Sequence, residues 1–267
     1  MPESPISSHE WNASAYHRLS SPQFEWGQRV LSELHLRGDE HVLDAGCGTG
    51  RLTELLLSNL THGRVVGLDL SRNMVQHARR ELNERFGAQV SFVAADLTAL
   101  PFAGVFDGIF STASFHWVLD HGQLFRNLFD ALRPGGWLHA QCGGGANLAR
   151  LRKRVRDLSQ EADFSQWLGS FREPWFFSDD VGAKVRLREA GFNEANASLE
   201  SAPVRVSSSQ EFESYLRTFV LHRHLELLPS EQLREQFVRA LADVSGRDDP
   251  PWTLDYWRLN LRARKSA

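Results

Sequence analysis

The sequence predicts an α/β protein built on a doubly wound, mostly parallel sheet, and three observations carry that prediction. Short apolar runs alternate with segments of helical periodicity, as in repeated strand-helix-strand units. The first run, His41 to Ala45, breaks directly into the glycine loop Asp44-Ala45-Gly46-Cys47-Gly48-Thr49-Gly50, which opens a helix. The first three runs end at or beside an acid, in turn Asp44, Asp69 and Asp96. Strand carboxyl ends are where open α/β sheets bind their ligands.

His41 to Ala45 has the apolar run of a central parallel strand. Arg51 to Leu60 (RLTELLLSNL) places leucines at helical spacing. The glycines between them permit close approach of backbone to a ligand. Their spacing is G-x-G-x-G, and Arg51 stands where a dinucleotide fingerprint carries its third glycine. A pyrophosphate cradle is therefore not expected. The absence of G-x-x-x-x-G-K-[ST] excludes a P-loop.

The second run, Arg64 to Leu70 (RVVGLDL), puts Asp69 23 residues beyond Gly46, room for a strand, a helix and a strand. A carboxylate there can accept both hydroxyls of a ribose diol. Met74, in the next helix, either lies against an adenine face or fills core. The third run, Val90 to Ala95, leads into Asp96-Leu97. Each acid also suits a helix N-cap, as does Ser71. The fourth strand is expected over Val105 to Ser114, running into Phe115-His116-Trp117-Val118. Arg133-Pro134-Gly135-Gly136 ends a helix that begins near His121 and turns the chain into a fifth strand, Trp137 to Gln141.

At 267 residues with 42% hydrophobic content, one large domain has ample core. A net charge of −3 gives no general attraction to nucleic acid. Two cysteines, Cys47 and Cys142, suggest reduced thiols in a cytoplasmic protein. Met1 to Ser8 is polar and lacks the apolar core of a signal peptide, and no run approaches a membrane span. Residues 1–9 are expected to be disordered, with a single domain over 10–267, as a monomer or homodimer. The one basic cluster, Arg150 to Arg156 (RLRKRVR), lies in a helix expected from Ala146 to about Gln160, with Leu151, Val155 and Leu158 as its buried stripe. A solvated helix face accounts for it better than a nucleic-acid patch.

Two segments outside the core are expected to select the substrate. Glu10 to Leu36 (residues 10–37 as a cap) is aromatic-rich, and its second half reads as an amphipathic helix with Phe24, Val30, Leu31 and Leu34 inward. Ser207 to Asp249 reads as mostly helical, interrupted at Pro229-Ser230, where the serine caps a new helix. It separates a sixth strand near Leu199 to Val206 from a last one near Trp252 to Arg264. His222-Arg223-His224 offers no third metal ligand at usable spacing, so no metal is expected.

With its acidic-x-G-x-G-x-G loop and its acids at successive strand ends, the chain resembles the class I S-adenosylmethionine-dependent methyltransferases over about residues 11 to 145. The resemblance implies a seven-stranded Rossmann-like sheet whose last two strands form an antiparallel hairpin, with a helical cap and a C-terminal helical insertion. It implies S-adenosylmethionine as cofactor, with Asp69 on the ribose, Asp96 accepting from the adenine amine and the backbone of Leu97 facing the ring. Tyr16, Asp44, Gly46, Cys47, Gly48, Gly50, Leu70, Met74 and Ser111 complete the implied cofactor set. The chain is similar in particular to the trans-aconitate and insect juvenile-hormone-acid methyltransferases, in which an N-terminal W-x-x-x-x-Y element lies over the cofactor. Trp11 and Tyr16 have that spacing. No Asp/Asn-Pro-Pro-aromatic signature follows strand four, which argues against a nucleobase amine as acceptor.

A small-molecule acceptor is expected, most simply a carboxylic acid, because a carboxylate is already ionised at neutral pH. A phenol, a carbon acid or an acyl-carrier-bound malonyl group would need a base, and His116 is the candidate. It can equally be a structural histidine or an acceptor-binding donor. A chain that binds the cofactor without transferring its methyl is the alternative from another class.

Overall fold

The computed structural model describes residues 21–267, so the expectations placed on residues 1–9, Trp11 and Tyr16 lie outside the described residues. Helix α1 (Ser21–Ser32) buries Trp26, Val30 and Leu31, with Phe24 and the following Leu34 half-buried. There follow β1 (His41–Ala45), α2 (Arg51–Ser58), β2 (Arg64–Asp69), α3 (Arg72–Phe86), β3 (Val90–Ala94), β4 (Phe106–Thr112), α4 (His121–Ala131) and β5 (Leu132–Gly143). All five strands pair in parallel, in the spatial order β3-β2-β1-β4-β5. The chain leaves β1 toward β2 and returns on its other side at β4. The carboxyl ends of β1 and β4 therefore bound the crevice of a topological switch point.

The second half comprises α5 (Ala149–Ser159), α6 (Ser165–Leu168), α7 (Asp180–Glu189), β6 (Glu194–Ser201), β7 (Val204–Arg205), α8 (Ser209–Tyr215), α9 (His222–Leu227), α10 (Glu231–Ser245), β8 (Thr253–Leu254) and β9 (Trp257–Arg264). A π-helical turn, Leu216–Val220, joins α8 to α9. Strand β9 runs antiparallel between β5 and β6 and completes a seven-stranded sheet, as expected for this fold class. The sixth strand begins earlier than predicted. Ala195, Ala197 and Leu199 supply its core-facing alternate positions, and Pro203, lacking a ladder donor, ends it. Val204–Arg205 instead pairs with Thr253–Leu254 in a separate ribbon. The predicted last strand is likewise divided: the Asp255 carbonyl accepts from Leu148 N–H at 2.9 Å and its carboxylate from Arg150 N–H at 3.0 Å, which pins that residue outside either ladder. Strand β5 starts at Leu132, before the predicted Trp137, because Leu132 pairs with Phe106 ahead of an irregularity in the ladder. Helix α5 starts at Ala149, three residues later than expected.

Three apolar clusters hold these layers together. One sheet face packs Phe106, Ile109 and Leu138 against Phe125 and Leu128 of α4 and Leu187 of α7. The other packs Val42, Val65 and Phe110 against α1, α2 and α3. A third forms inside the helical insertion, where Leu216, Phe219, Phe237 and Leu241 meet Leu151 and Val155 of α5 and Trp26 of α1. The insertion is thus a roof with its own core, seated on the cap helix. Ser230 caps α10 by accepting from Leu233 N–H at 3.3 Å, as its sequence predicts.

The basic face of α5 is consumed by ion pairs. Arg152 and Arg156 both hold Glu173, Arg150 and Arg154 hold Asp248, and Lys153 holds Asp157. Arg154 grips Asp248 through both terminal nitrogens, at 2.9 and 2.6 Å. Such a bidentate pair fixes geometry as well as charge, and here it ties α5 to the end of the roof.

Candidate active site

The glycine loop is shaped by three left-handed residues, Gly46, Gly48 and Gly50, at φ of 86°, 53° and 86°. The Gly46 and Cys47 N–H groups donate to the Leu68 carbonyl at 2.7 and 2.9 Å, which hangs the loop from the end of β2. A Cβ on Gly46 would lie 2.1 Å from Ser114 Oγ, and one on Gly50 2.9 Å from the Leu82 side chain. Gly50 therefore supplies the close approach of α2 and α3 that a third glycine at position 51 would otherwise supply. Arg51 instead lines the cleft beside the loop, with its guanidinium 3.8 Å from the centre of the Phe24 ring. Over Gly48 a Cβ would meet nothing within 4 Å, so the loop backbone faces open space there. Gln23 and Phe24 of α1 narrow this cleft to about 50 Å³, and Asp44, Thr112 and Ala113 line its floor. A larger groove of about 390 Å³ between α1 and α2, lined by Gln28, Leu31, Leu34 and Asn59, carries no titratable group.

The three acids take up the predicted strand-end positions. Asp44 is buried at the end of β1 and accepts from Thr53 Oγ1 at 2.6 Å. Burial pushes its carboxyl up to about 7, with Thr53 opposing and the charge of Asp69 adding to the rise. Asp69 accepts from Gly48 N–H and Ser71 N–H, both at 2.9 Å, which binds loop, β2 and α3 into one unit. Asp96 caps the turn Leu97–Ala99 through Thr98 N–H at 2.8 Å.

Of the other cofactor candidates, Met74 is buried in the first turn of α3, whose cap is Ser71, and Leu70 is exposed beside Asp69. Leu97 is buried, and its carbonyl accepts from Asn127 at 3.1 Å. Ser111 donates its hydroxyl to the Ala45 carbonyl at 2.6 Å, a tie between β4 and β1 beneath the loop. Cys47 is buried, and desolvation raises its thiol well above the usual range, so it stays protonated.

His116 stands on the turn Phe115–Trp117 that follows β4, and its Nδ1 accepts from Gly143 N–H at 3.3 Å. Burial, then the positive charge of Arg258, then His121, hold its pKa well below the ordinary histidine value. The ring is therefore neutral at physiological pH. A neutral imidazole that accepts at Nδ1 carries its hydrogen on Nε2. His116 thus presents a donor.

Arg258 and its neighbours are the functional candidates that the sequence reading missed. Arg258 opens β9 opposite Gly143, is buried, and donates from Nε to Gln141 Oε1 at 3.3 Å. Its guanidinium lies 4.5 Å from the centre of the Trp26 ring. Nearby, the Tyr215 hydroxyl accepts from Gln23 at 2.8 Å and shares a hydrogen bond of 3.0 Å with Tyr256, linking cap, roof and last strand. The available signal was the period of two in Trp257–Arg264, which sets Arg258, Asn260 and Arg262 on one face and Leu259, Leu261 and Ala263 on the other. His222 and His224, the histidines of the roof, lie instead against the rings of Trp117 and Phe171. Among the described residues no group of three His, Cys, Asp or Glu side chains is placed to hold a metal.

A family model for a methyltransferase domain matches residues 42–136, the stretch from β1 to the start of β5. The chain is 28% identical over 260 residues to an uncharacterized methyltransferase of Schizosaccharomyces pombe, covering 96% of this chain and 98% of that one. It is 38% identical over 135 residues to trans-aconitate 2-methyltransferase of Paracidovorax citrulli, a match that spans half of each chain. Among solved structures, Haemonchus contortus phosphoethanolamine N-methyltransferase 2 superposes with a TM-score of 0.62 at 17% identity, over 96% of this chain and 57% of that one. Sheet order, glycine loop and the family model over residues 42–136 together support a class I S-adenosylmethionine-dependent methyltransferase. Within that class the chain resembles the trans-aconitate 2-methyltransferases over its cofactor-binding half.

Proposed function

We propose that this enzyme O-methylates a small carboxylic acid, and the observation that carries the reading is the Gly143 N–H donated to Nδ1 of the buried His116. The residues of the loop suit an adenosyl sulfonium. Gly48 offers open backbone, Asp69 brings carboxylate oxygens for a ribose diol, and Asp44 offers a buried carboxylate for an ammonium. S-adenosylmethionine supplies an electrophilic methyl on a positively charged sulfur. Bound there, it would give that methyl to a carboxylate oxygen of the acceptor and leave as a neutral thioether, the electron pair of the broken carbon–sulfur bond staying on sulfur and a methyl ester resulting. No proton moves.

A phenol or carbon acid would have to surrender a proton, and His116 has no basic nitrogen facing the acceptor while Gly143 occupies Nδ1. As a donor, Nε2–H can hold one acceptor oxygen and leave the other to react. Orientation and exclusion of water supply the rate, and the helical roof with the Gln23–Tyr215–Tyr256 chain provides the cover. Two buried free thiols suit a reducing compartment, and we place the enzyme in the cytoplasm, acting on a small molecule and not on nucleic acid.

A methyl-transfer screen over small acids, phenols and carbon acids tests the reading. With both substrates saturating, turnover on the best acid should stay flat from about pH 6 to 9, because a carboxylate is ionised throughout. His116→Gln, whose amide also donates, should keep turnover within about tenfold. A loss of several orders of magnitude with cofactor affinity unchanged would identify His116 as a base and overturn the assignment.

A further inference from the structure

We infer that Glu173 is a positioning residue for His116: clamped by Arg152 and Arg156 of α5, it fastens a strap, residues 169–179, whose aromatic end holds the His116 ring to the Gly143 amide. The inference rests on the reading above that His116 faces the acceptor. The strap joins α6 to α7 without helix or strand of its own, so side chains and isolated hydrogen bonds must hold it. Glu173 lies near its middle. One carboxylate oxygen accepts from Arg152 Nε at 2.8 Å and also from Arg152 Nη2, and the other accepts from Arg156 at 2.8 Å. Burial opposes the ionisation of Glu173, but the guanidiniums outweigh it and hold the carboxyl below the usual range. The clamp is therefore charged on both sides at neutral pH. Its support is firm, because α5 is itself tied to the end of the roof through Arg154 and Asp248.

Beyond the clamp, Phe176, Phe177 and Ser178 reach His116 and its surroundings in succession. The Phe176 N–H donates to the His116 carbonyl at 2.9 Å, Phe177 lies 5.7 Å from the His116 ring between centres, and the Ser178 carbonyl accepts from Gly145 N–H at 2.9 Å. A Cβ on Gly143 would stand 2.8 Å from the Phe177 ring. Phe177 thus packs against both partners of the hydrogen bond that sets the imidazole. Arg152 closes the circuit, since the guanidinium that grips Glu173 also lies 5.0 Å from the centre of the Phe177 ring. Released from the clamp, the strap would regain backbone freedom, and Phe177 would uncover the imidazole to water. The groups that face His116 are Arg258 of β9, the neutral His121 of α4 and the Cys142 thiol of β5, which burial pushes up to about 12. Glu173 is not among them, and its charge reaches His224 of α9 instead. Its effect on the imidazole therefore passes through the strap.

Full-length enzyme loaded with S-adenosylhomocysteine tests the clamp through the ring nitrogens of His116, assigned in long-range proton–nitrogen correlation spectra by their loss in His116→Gln. In the parent protein the ring should stay neutral, with its hydrogen on Nε2, from about pH 5 to 8. In Glu173→Ala it should lose that fixed tautomer and titrate within this range, moving toward the ordinary value of about 6.5. Glu173→Gln, which keeps an acceptor oxygen for Arg152, should fall between. Arg156→Ala removes only the more exposed holder, and it should move the ring the same way by less. Calorimetric affinity for S-adenosylhomocysteine should stay within about twofold in each variant. With trans-aconitate and hydrocinnamate as acid probes, Glu173→Ala should raise KM about three- to tenfold in the parent background and less than about twofold in His116→Ala. An imidazole that stays neutral and fixed in Glu173→Ala, or an equal rise of KM in both backgrounds, would overturn the positioning role. So would a parallel loss of affinity for S-adenosylhomocysteine, which would make Glu173 a residue of general stability. Methylation of phenols with no acid accepted, the ring spectra behaving as expected, would instead overturn the carboxylate reading and leave the clamp standing.

Discussion

The proposed pairing of Asp44 with the cofactor ammonium should make cofactor affinity depend on pH in a way that the surroundings of Asp44 specify. In the folded protein burial raises its carboxyl to about 7, against about 4 in an unfolded chain. The folded state therefore holds this proton more tightly. The contribution to stability is complete below pH 4 and is lost as pH rises through about 7, on the order of 4 kcal/mol in all. An ammonium bound against Asp44 reverses the preference, because only the ionised carboxylate pairs with it. Below pH 7 apparent affinity should fall about tenfold per unit, so binding at pH 5 is roughly 100-fold weaker than at pH 7.5. An α-amino group itself loses its proton near 8, so affinity should fall again above that pH. Isothermal titration with S-adenosylhomocysteine between pH 5 and 9 should trace this bell, and Asp44→Asn should erase its acid limb and weaken binding at the maximum. An acid limb that persists in Asp44→Asn would refute the assignment of the titration to Asp44, and a flat profile in the parent enzyme would refute the ammonium pairing.

Two further substitutions separate the loop from the roof. Gly46→Ala should weaken cofactor binding by more than tenfold, since its Cβ would stand 2.1 Å from Ser114 Oγ at a φ of 86°. Adding Ser114→Gly should recover part of that loss in calorimetry, and no recovery would leave the φ strain as the whole cause. Phe237→Ala removes a fully buried ring that packs edge-on to Phe164 at 5.0 Å, and denaturant unfolding should report a loss of about 3–5 kcal/mol. Because the roof has its own core, cofactor affinity at low denaturant should change little. A matching collapse of affinity would show that roof and loop are one cooperative unit.

The cofactor half of the site was legible because its contacts are local. Gly46, Gly48 and Gly50 sit on one turn, Asp44 meets Thr53 in the helix that follows, and Asp69 reaches the Ser71 amide two residues on and the Gly48 amide at the neighbouring strand end. Such turns have few solutions, and their residue types announce them. Strand limits were less legible wherever a side chain or proline competed with the ladder. Pro203 and Asp255 each cut a run that reads as continuous from its apolar residues alone. Pro203 carries its signal in its missing N–H, whereas Asp255 could not be placed without knowing that Leu148 and Arg150 would approach from another element.

The acceptor half was illegible for a topological reason. The residues at that edge, Gln23, His116, Gln141, Tyr215 and Arg258, come from cap, core, roof and last strand, and no two of them share a turn. The direction of the last strand decides which of its residues matter. Were β9 parallel to its neighbours, its final residues would lie at the substrate edge, and the arginine there would be Arg264. Running antiparallel, it delivers its beginning, so Arg258 meets Gly143 while Arg264 lies opposite Trp137 at the far edge. Gly143 is also the residue whose amide sets the tautomer of His116. One strand reversal thus brings the buried Arg258 opposite the residue whose amide holds His116, which no period of two within β9 could announce.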